Sequence, residues 1–352
     1  MVSMIEGSWL SKAIYLISRL CIPDLMGDDA KQCEELALAT DTYAPALHRV
    51  MRALAREGIF QVDESGRFSL TSLGATLRTD VPGSLHGWAM LMLGPINQEA
   101  WNDLMYAVRT GKSAFEHHFD MSLWRYCSKN SEYSRLFDSA MASFTMTYVE
   151  NLVDSYNFSS FSTIVDVGGG DGSLLIEILK ANAKISGIVY DLPEVAARAA
   201  HNINQTQLSA RCRAVGGNAF ESVPHGGDAY ILSRVLHDWD DDRARAILMN
   251  CRAALGDGGR ILVVERIMPN VLAGGVTSRG VVLSDIFMTD LNMMVMTSGR
   301  ERTLGEFEEL FRQASLELVR VVQTPTMMNV LEIQSIPFLI DSLRVDAKGD
   351  GE

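Results

Sequence analysis

The chain of 352 residues contains no C-x-x-C pair, and its five cysteines (Cys21, Cys33, Cys127, Cys212, Cys251) lie far apart. That scatter offers neither a disulfide framework nor a zinc site, and it implies reduced thiols in a cytoplasm. Basic charge is also in short supply: 31 Lys and Arg stand against 44 Asp and Glu, for a formal net charge of −13. A surface of that sign repels nucleic acid and anionic lipid, so neither is expected as a partner. No uncharged apolar run reaches the roughly 18 residues that mark a membrane-spanning helix. The opening residues lack a basic start, and Glu6, Lys12 and Arg19 interrupt their apolar positions, so no targeting peptide is expected. These absences point to a cytoplasmic protein that works on a small molecule.

What is present is apolar material, 47% of the chain, over a length that suggests about two domains. Apolar residues at 9, 10, 13, 14, 16, 17 and 20 give Trp9 to Leu20 a face too wide for a helix lying on water. Either its own N-terminal domain or a second copy of the chain must cover it. From Glu34 the pattern predicts two short helices, then strands at Ile59 to Val62 and Phe68 to Leu70 around a turn at Glu64-Ser65-Gly66, which together read as a winged helix-turn-helix. Residues 31–80 hold six basic against seven acidic side chains where a DNA reader needs a basic stripe. The module is therefore read as structural or dimerising. Helices rich in aromatics and methionine fill 84–156, as core or as the wall of a pocket for a flat ligand. His117-His118 is read as a solvated loop, because no partner ligands stand at matching spacing. The expected division is a dimerisation and winged-helix-like domain over 1–100 and a catalytic domain over 101–352, with 101–160 as helical linker and pocket helices.

From Ser162 strands and helices alternate (163–167, 173–180, 185–190, 193–203, 228–233, 242–255, 260–265), which implies a mostly parallel sheet covered on both faces. Leu316 to Val322 and Met327 to Ile333 read as a closing antiparallel hairpin. The first strand breaks into Gly168-Gly169-Gly170-Asp171-Gly172, a G-x-G-x-G turn one residue short of the dinucleotide fingerprint. Residues without Cβ let backbone N–H groups approach a ligand at the positive end of the helix that follows. Asp191, 19 positions beyond Gly172, ends the second strand, where a carboxylate can accept hydrogen bonds from ribose hydroxyls. His237 follows the strand ending at Ser233, Glu265 ends the next, and Glu301 lies in 290–303. A histidine with two carboxylates from separate regions is what a general base needs, one group to take the proton and others to hold the ring.

Val165-Asp166-Val167-Gly168-Gly169-Gly170-Asp171-Gly172, Tyr190-Asp191-Leu192-Pro193-Glu194-Val195, Leu236-His237-Asp238-Trp239-Asp240-Asp241 and Gly299-Arg300-Glu301-Arg302-Thr303, in that order, resemble the S-adenosylmethionine-dependent small-molecule O-methyltransferases related to plant caffeic acid and flavonoid enzymes, in their bacterial natural-product branch. The resemblance implies an α/β Rossmann-like methyltransferase sheet with a C-terminal antiparallel hairpin and an N-terminal helical, winged dimerisation domain. It implies S-adenosylmethionine as cofactor, S-adenosylhomocysteine as product, no metal, and a homodimer joined through the N-terminal helices. His237 matches the proton acceptor, with Glu265 and Glu301 as the acids that position it. Gly168, Gly170, Asp191, Leu192, Asn218, Ala219, Ser233, Arg234 and Trp239 match cofactor positions. Asn218 stands where Asp is usual, and Ser233 where plant members have a lysine. Met141, Phe144, Asp238, Met288 and Asn292 are expected to face the acceptor, a phenol or enol. An ordinary imidazole facing such a phenol predicts activity that rises through an imidazole-like pKa. N- or C-methylation on the same scaffold, a ligand-sensing winged-helix regulator and a nicotinamide oxidoreductase are the alternatives.

Overall fold

Seven strands build the central sheet of the computed structural model, which describes residues 1–270 and 286–336. Before it in sequence comes the predicted N-terminal module. A helix at Val2–Arg19 leads to helices at Cys33–Ala39 and Ala44–Arg56, then to β1 (Phe60–Val62) and β2 (Phe68–Leu70), paired antiparallel. Ile17, Leu36, Leu47, Met51, Leu54, Phe60 and Phe68 close one apolar core beneath this module.

The sheet strands are β3 (Thr163–Val167), β4 (Ser186–Asp191), β5 (Cys212–Gly216), β6 (Ala229–Ser233), β7 (Arg260–Glu265), β8 (Leu316–Gln323) and β9 (Asn329–Ser335). Their spatial order is β5-β4-β3-β6-β7-β9-β8, with the first five parallel and β9 antiparallel to both its neighbours. The interior of β3, β6 and β7 is buried on both faces, which is why β6 and β7 are apolar runs rather than alternating ones and β3 is one interrupted only by the buried Asp166. Two core layers result. Leu175, Ile178, Leu179, Ile231 and Val264 fill one face, and Tyr230, Leu232, Ile247, Leu248, Phe307 and Phe311 fill the other.

Strand order reverses between β3 and β6, and in an open α/β sheet ligands settle outside the carboxyl ends of the strands at such a point. Gly168, Asp191, Ser233 and Glu265 all stand at that rim. The helix Asp241–Ala254 is capped by the Asp240 carboxylate, and Leu304–Gln313 opens with the expected capping box, Thr303 and Glu306 exchanging hydrogen bonds. Two local readings need correction. β5 was absent from the expected strands, because Cys212-Arg213-Ala214-Val215-Gly216 is a half-exposed edge strand without a strong apolar run. His117 and His118 lie on a short helix, Ala114–Phe119, capped by Ser113, rather than in a loop. His118 meets Asp103 and Glu99 at the surface. No described helix is long and apolar enough to cross a membrane.

Candidate active site

A cavity of about 740 Å³ opens at the rim of β3, β4, β6 and β7, within the size range of small-molecule sites. Gly168 (φ +72°) and Gly170 (φ +58°) turn the chain out of β3 in a left-handed conformation that other residues adopt at a cost. A Cβ on Gly168 would come within 2.8 Å of the Val235 side chain. The Gly170 N–H donates to Asp191 Oδ2 (2.9 Å) and the Leu192 N–H to Asp191 Oδ1 (2.7 Å), which fixes the carboxylate at the strand end. Each oxygen keeps acceptor capacity for a ligand hydroxyl. Burial raises the Asp191 carboxyl against these two donors. Asp166, 1% exposed and with Oδ2 lacking a hydrogen-bond partner, is pushed up to about 7 by burial and by the neighbouring Asp191 and Asp171 charges.

Leu192, Asn218, Ala219, Ser233, Arg234 and Trp239 also line the cavity. The Asn218 amide is engaged in its own turn, accepting from the Phe220 N–H and donating to Glu221. Ser233 Oγ meets the Tyr148 hydroxyl at 3.0 Å, so at the position where plant members have a lysine this chain ties β6 to the helical segment. Trp239 packs against Phe220 and Trp124.

His237 sits in a single 3-10 turn, Leu236–Asp238, beyond β6. Its Nδ1–H donates to Glu301 Oε1 at 2.9 Å, and Glu265 Oε2 lies 3.7 Å from the same nitrogen. Glu265 Oε1 accepts the N–H groups of Leu236 and His237, fixing the turn, while Oε2 has no hydrogen-bond partner. All three side chains are buried. Arg302 brings the Glu301 segment into place: fully buried, it donates to the carbonyls of Leu236 and Trp239 and to Asp241. Asp290 accepts the Glu301 N–H, and Gly299 packs so tightly on the His237 carbonyl that no side chain fits there.

Burial alone would lower the His237 pKa, but Glu265, Glu301 and Asp238 override it and raise the ring to about 9. Burial pushes Glu265 up to about 7 and Asp238 up to about 6, against the opposing pull of the imidazolium. Glu301 is held below its usual range: burial opposes, but His237, Arg266 and Arg234 prevail. These buried carboxylates therefore favour the doubly protonated ring. Among the described residues the polar atoms of His237, Glu265 and Glu301, all within 4.8 Å of one another, are also close enough to share a cation.

Met141, Asp238, Met288 and Asn292 line the cavity, and Asn292 accepts from Trp101 Nε1 at 3.0 Å. Phe144 is not among the lining residues. It is 6% exposed, stacks on Trp88, and lies beneath the guanidinium groups of Arg234 and Arg266. Glu265 and Glu301 likewise stand behind the lining, reaching the cavity through His237. Sequence reasoning assigned no role to Arg266, Arg302, Tyr148, or the Asp138–Arg198 ion pair in the cavity wall. Arg266 was findable, since it follows Glu265 directly at a strand end. The others depend on pairings of 60 residues or more that spacing does not reveal.

Residues 101–317 match a family model described as an O-methyltransferase domain, and residues 2–80 match an O-methyltransferase dimerisation domain. The chain is 39% identical over 336 residues to a phenazine O-methyltransferase of Lysobacter antibioticus, covering 96% of each. It is also 30% identical over 323 residues to an 8-amino-8-demethylriboflavin N,N-dimethyltransferase of Streptomyces davaonensis, covering 91% of this chain and 90% of the other. Among solved structures it superposes with a TM-score of 0.77, at 30% identity, on an O-methyltransferase from neocarzinostatin biosynthesis in complex with S-adenosylmethionine and 2-hydroxy-5-methyl naphthoic acid, covering 93% and 96% of the two chains.

Proposed function

The chain belongs to the S-adenosylmethionine-dependent O-methyltransferase family, and from that membership we propose that it methylates a phenolic or enolic hydroxyl of a small aromatic natural product, with His237 as general base. The observation that carries this reading is the buried His237–Glu301 hydrogen bond, on the wall of the cavity that also contains the glycine turn. When bound, S-adenosylmethionine supplies an electrophilic methyl group on a sulfonium that departs as a neutral thioether.

The residues present fit that cofactor. Gly168 and Gly170 keep the strand end free of side chains, Asp191 offers acceptor oxygens for ribose hydroxyls, and Leu192, Asn218, Ala219 and Trp239 supply the adjoining wall. Ser233 and Arg234 complete the border toward the acceptor. Met141, Met288 and Asn292 place a flat acceptor against His237, and the Asp238 carboxylate lies beside the nitrogen that faces it, 3.8 Å from Nε2.

His237 takes the hydroxyl proton at Nε2 while its Nδ1–H stays on Glu301. A phenol of pKa about 10 facing a ring of about 9 meets a gap near one pH unit, about 1.4 kcal/mol, where an ordinary imidazole would leave about 4.8 kcal/mol. The same shift leaves little neutral ring at pH 7.5, so the expected alkaline rise of activity moves from the imidazole range to near 9. Orientation in a closed pocket contributes about 7–11 kcal/mol, more than the base.

The first helix leaves Val2, Met4, Ile5 and Trp9 exposed, and a second copy of the chain covering them makes the homodimer. N-methylation is the second reading, favoured by the N,N-dimethyltransferase relative; a neutral amine asks less of His237. Incubation with S-adenosylmethionine and, separately, 1-naphthol or 1-naphthylamine tests the choice by mass spectrometry. The methyl ether is expected; methylation of the amine alone contradicts it.

A further inference from the structure

Arg198 reaches out of the helix Pro193–Asn204, which follows β4, and grips the helix Ser131–Met146 of the helical segment. Its Nε donates to Asp138 Oδ2 and its Nη2 to Ser134 Oγ at 2.8 Å, two acceptors one turn apart on the same helix face. One guanidinium therefore holds two residues at once. Four positions further along its own helix, Asn202 Nδ2 donates to the Asp171 carbonyl at 3.1 Å, so this helix face lies against the glycine turn.

The clasp stands at the edge of the cofactor end of the cavity. Ser134, Asp138 and Arg198 all line it, together with Asp171 and Asp191. Ser134 is buried, whereas the Asp138 and Arg198 side chains keep 13% and 28% of their surface exposed, so the clasp runs from the cavity wall to solvent. Its charges reach the carboxylate at the end of β4. Burial raises Asp191, and Arg198 is among the groups that oppose it. Burial likewise pushes Asp138 up to about 6 against the pull of Arg198, with Asp191 and Asp171 adding to the rise. A charge-assisted contact of this kind, in a place poor in water, is stronger than a neutral hydrogen bond.

Resting on the placement of the cofactor at the glycine turn given above, we propose that the Arg198–Asp138–Ser134 clasp is the gate through which S-adenosylmethionine enters and S-adenosylhomocysteine leaves. Arg198 and Asp138 are positioning residues that set the rate of exchange rather than the affinity. The Nε and Nη2 donors of Arg198 are spent on the protein, so the clasp stabilises the empty and the loaded chain alike and shifts no equilibrium between them. Because it must open for passage, it raises the barrier equally in both directions.

Stopped-flow mixing of the full chain with S-adenosylhomocysteine, followed through the fluorescence of Trp124 and Trp239 in the cavity wall, tests this. In Asp138→Asn and in Arg198→Gln the association and dissociation rates are both expected to rise about 10- to 100-fold, with a dissociation constant within about threefold of wild type. Arg198→Lys, which keeps the charge but loses the fork, is expected to fall between. Wild-type rates in both variants overturn the proposal. So does a loss of affinity carried by faster dissociation alone, which makes Arg198 a direct ligand of the cofactor. A retained dissociation constant shows that a variant is folded; if one does not fold, the other and Arg198→Lys decide. Asp191→Asn tests the placement separately and is expected to weaken S-adenosylhomocysteine binding about 10-fold. Wild-type affinity in that variant contradicts the placement, whereas weakened affinity there beside unchanged rates in the clasp variants strikes the gate alone.

Discussion

Replacing Glu301 by glutamine removes one negative charge 2.9 Å from His237 Nδ1 while keeping an oxygen that can accept the same hydrogen bond. An opposite charge at this range typically moves a pKa by about 1–3 pH units. Glu265 and Asp238 remain, so a displacement of about one to two is expected, bringing the ring from about 9 to about 7–8. That displacement corresponds to about 1.4–2.7 kcal/mol of lost preference for the protonated ring. The same energy is lost from the transition state to the extent that the proton has moved onto Nε2, so the alkaline plateau of kcat/KM should fall about 10- to 100-fold. At pH 7.5 the wild-type ring is only about 3% neutral, and the variant gains base as it loses stabilisation. The deficit of Glu301→Gln should therefore be small at pH 7.5 and widen steadily toward pH 9.5. Because the folded-state pKa is raised, the charged ring stabilises the fold fully below about 6.5, and this contribution is lost as pH rises through about 9; the variant should lose it earlier. A pH profile of S-adenosylhomocysteine release for both proteins is the assay. An alkaline limb in the same place in both would refute the electrostatic reasoning.

Gly168→Ala should destabilise the protein by about 1–2 kcal/mol from the left-handed backbone, with a further cost from the Val235 contact, and should weaken S-adenosylhomocysteine binding; melting and calorimetry read the two effects. Asp166→Asn removes a buried carboxyl whose raised pKa makes ionisation costly. Folding favours its protonated form, so the penalty is absent below pH 3.8, grows to roughly 4 kcal/mol above pH 7, and the variant should melt higher than wild type at pH 8 but not at pH 3.5. Thr303→Ala breaks the capping box and should cost about 1 kcal/mol, lowering Tm by about 2–4 °C, whereas Thr303→Ser should keep most of the stability.

The chemistry-bearing rim was largely legible in the sequence, because the elements that build it carry their own local signals. Gly168 and Gly170 announce a turn that needs positive φ, and the apolar runs of β3, β6 and β7 announce strands buried on both faces. The closing hairpin of β8 and β9 was legible as two neighbouring stretches, Leu316 to Val322 and Met327 to Ile333, joined by a short link. β5 escaped because an edge strand with an exposed Arg213 has no pattern to distinguish it from a loop. The placement of Phe144 was beyond reach for a different reason. Its spacing from Met141 puts both near one helix face, but the guanidinium groups that cover it come from β6 and β7, about 90 and 120 residues away. Arg302 shows the same limit: its hydrogen bonds to the carbonyls of Leu236 and Trp239, which seat Glu301 beside the imidazole, exist only once both loops have folded together.

The central claim is that an imidazole held by two buried acids removes the acceptor proton, and it is tested most directly by the single-turnover rate of His237→Ala on a phenol that the wild type methylates. A fall of about 10²- to 10⁴-fold with unchanged S-adenosylhomocysteine affinity is the result expected. A rate within a few fold of wild type would contradict it.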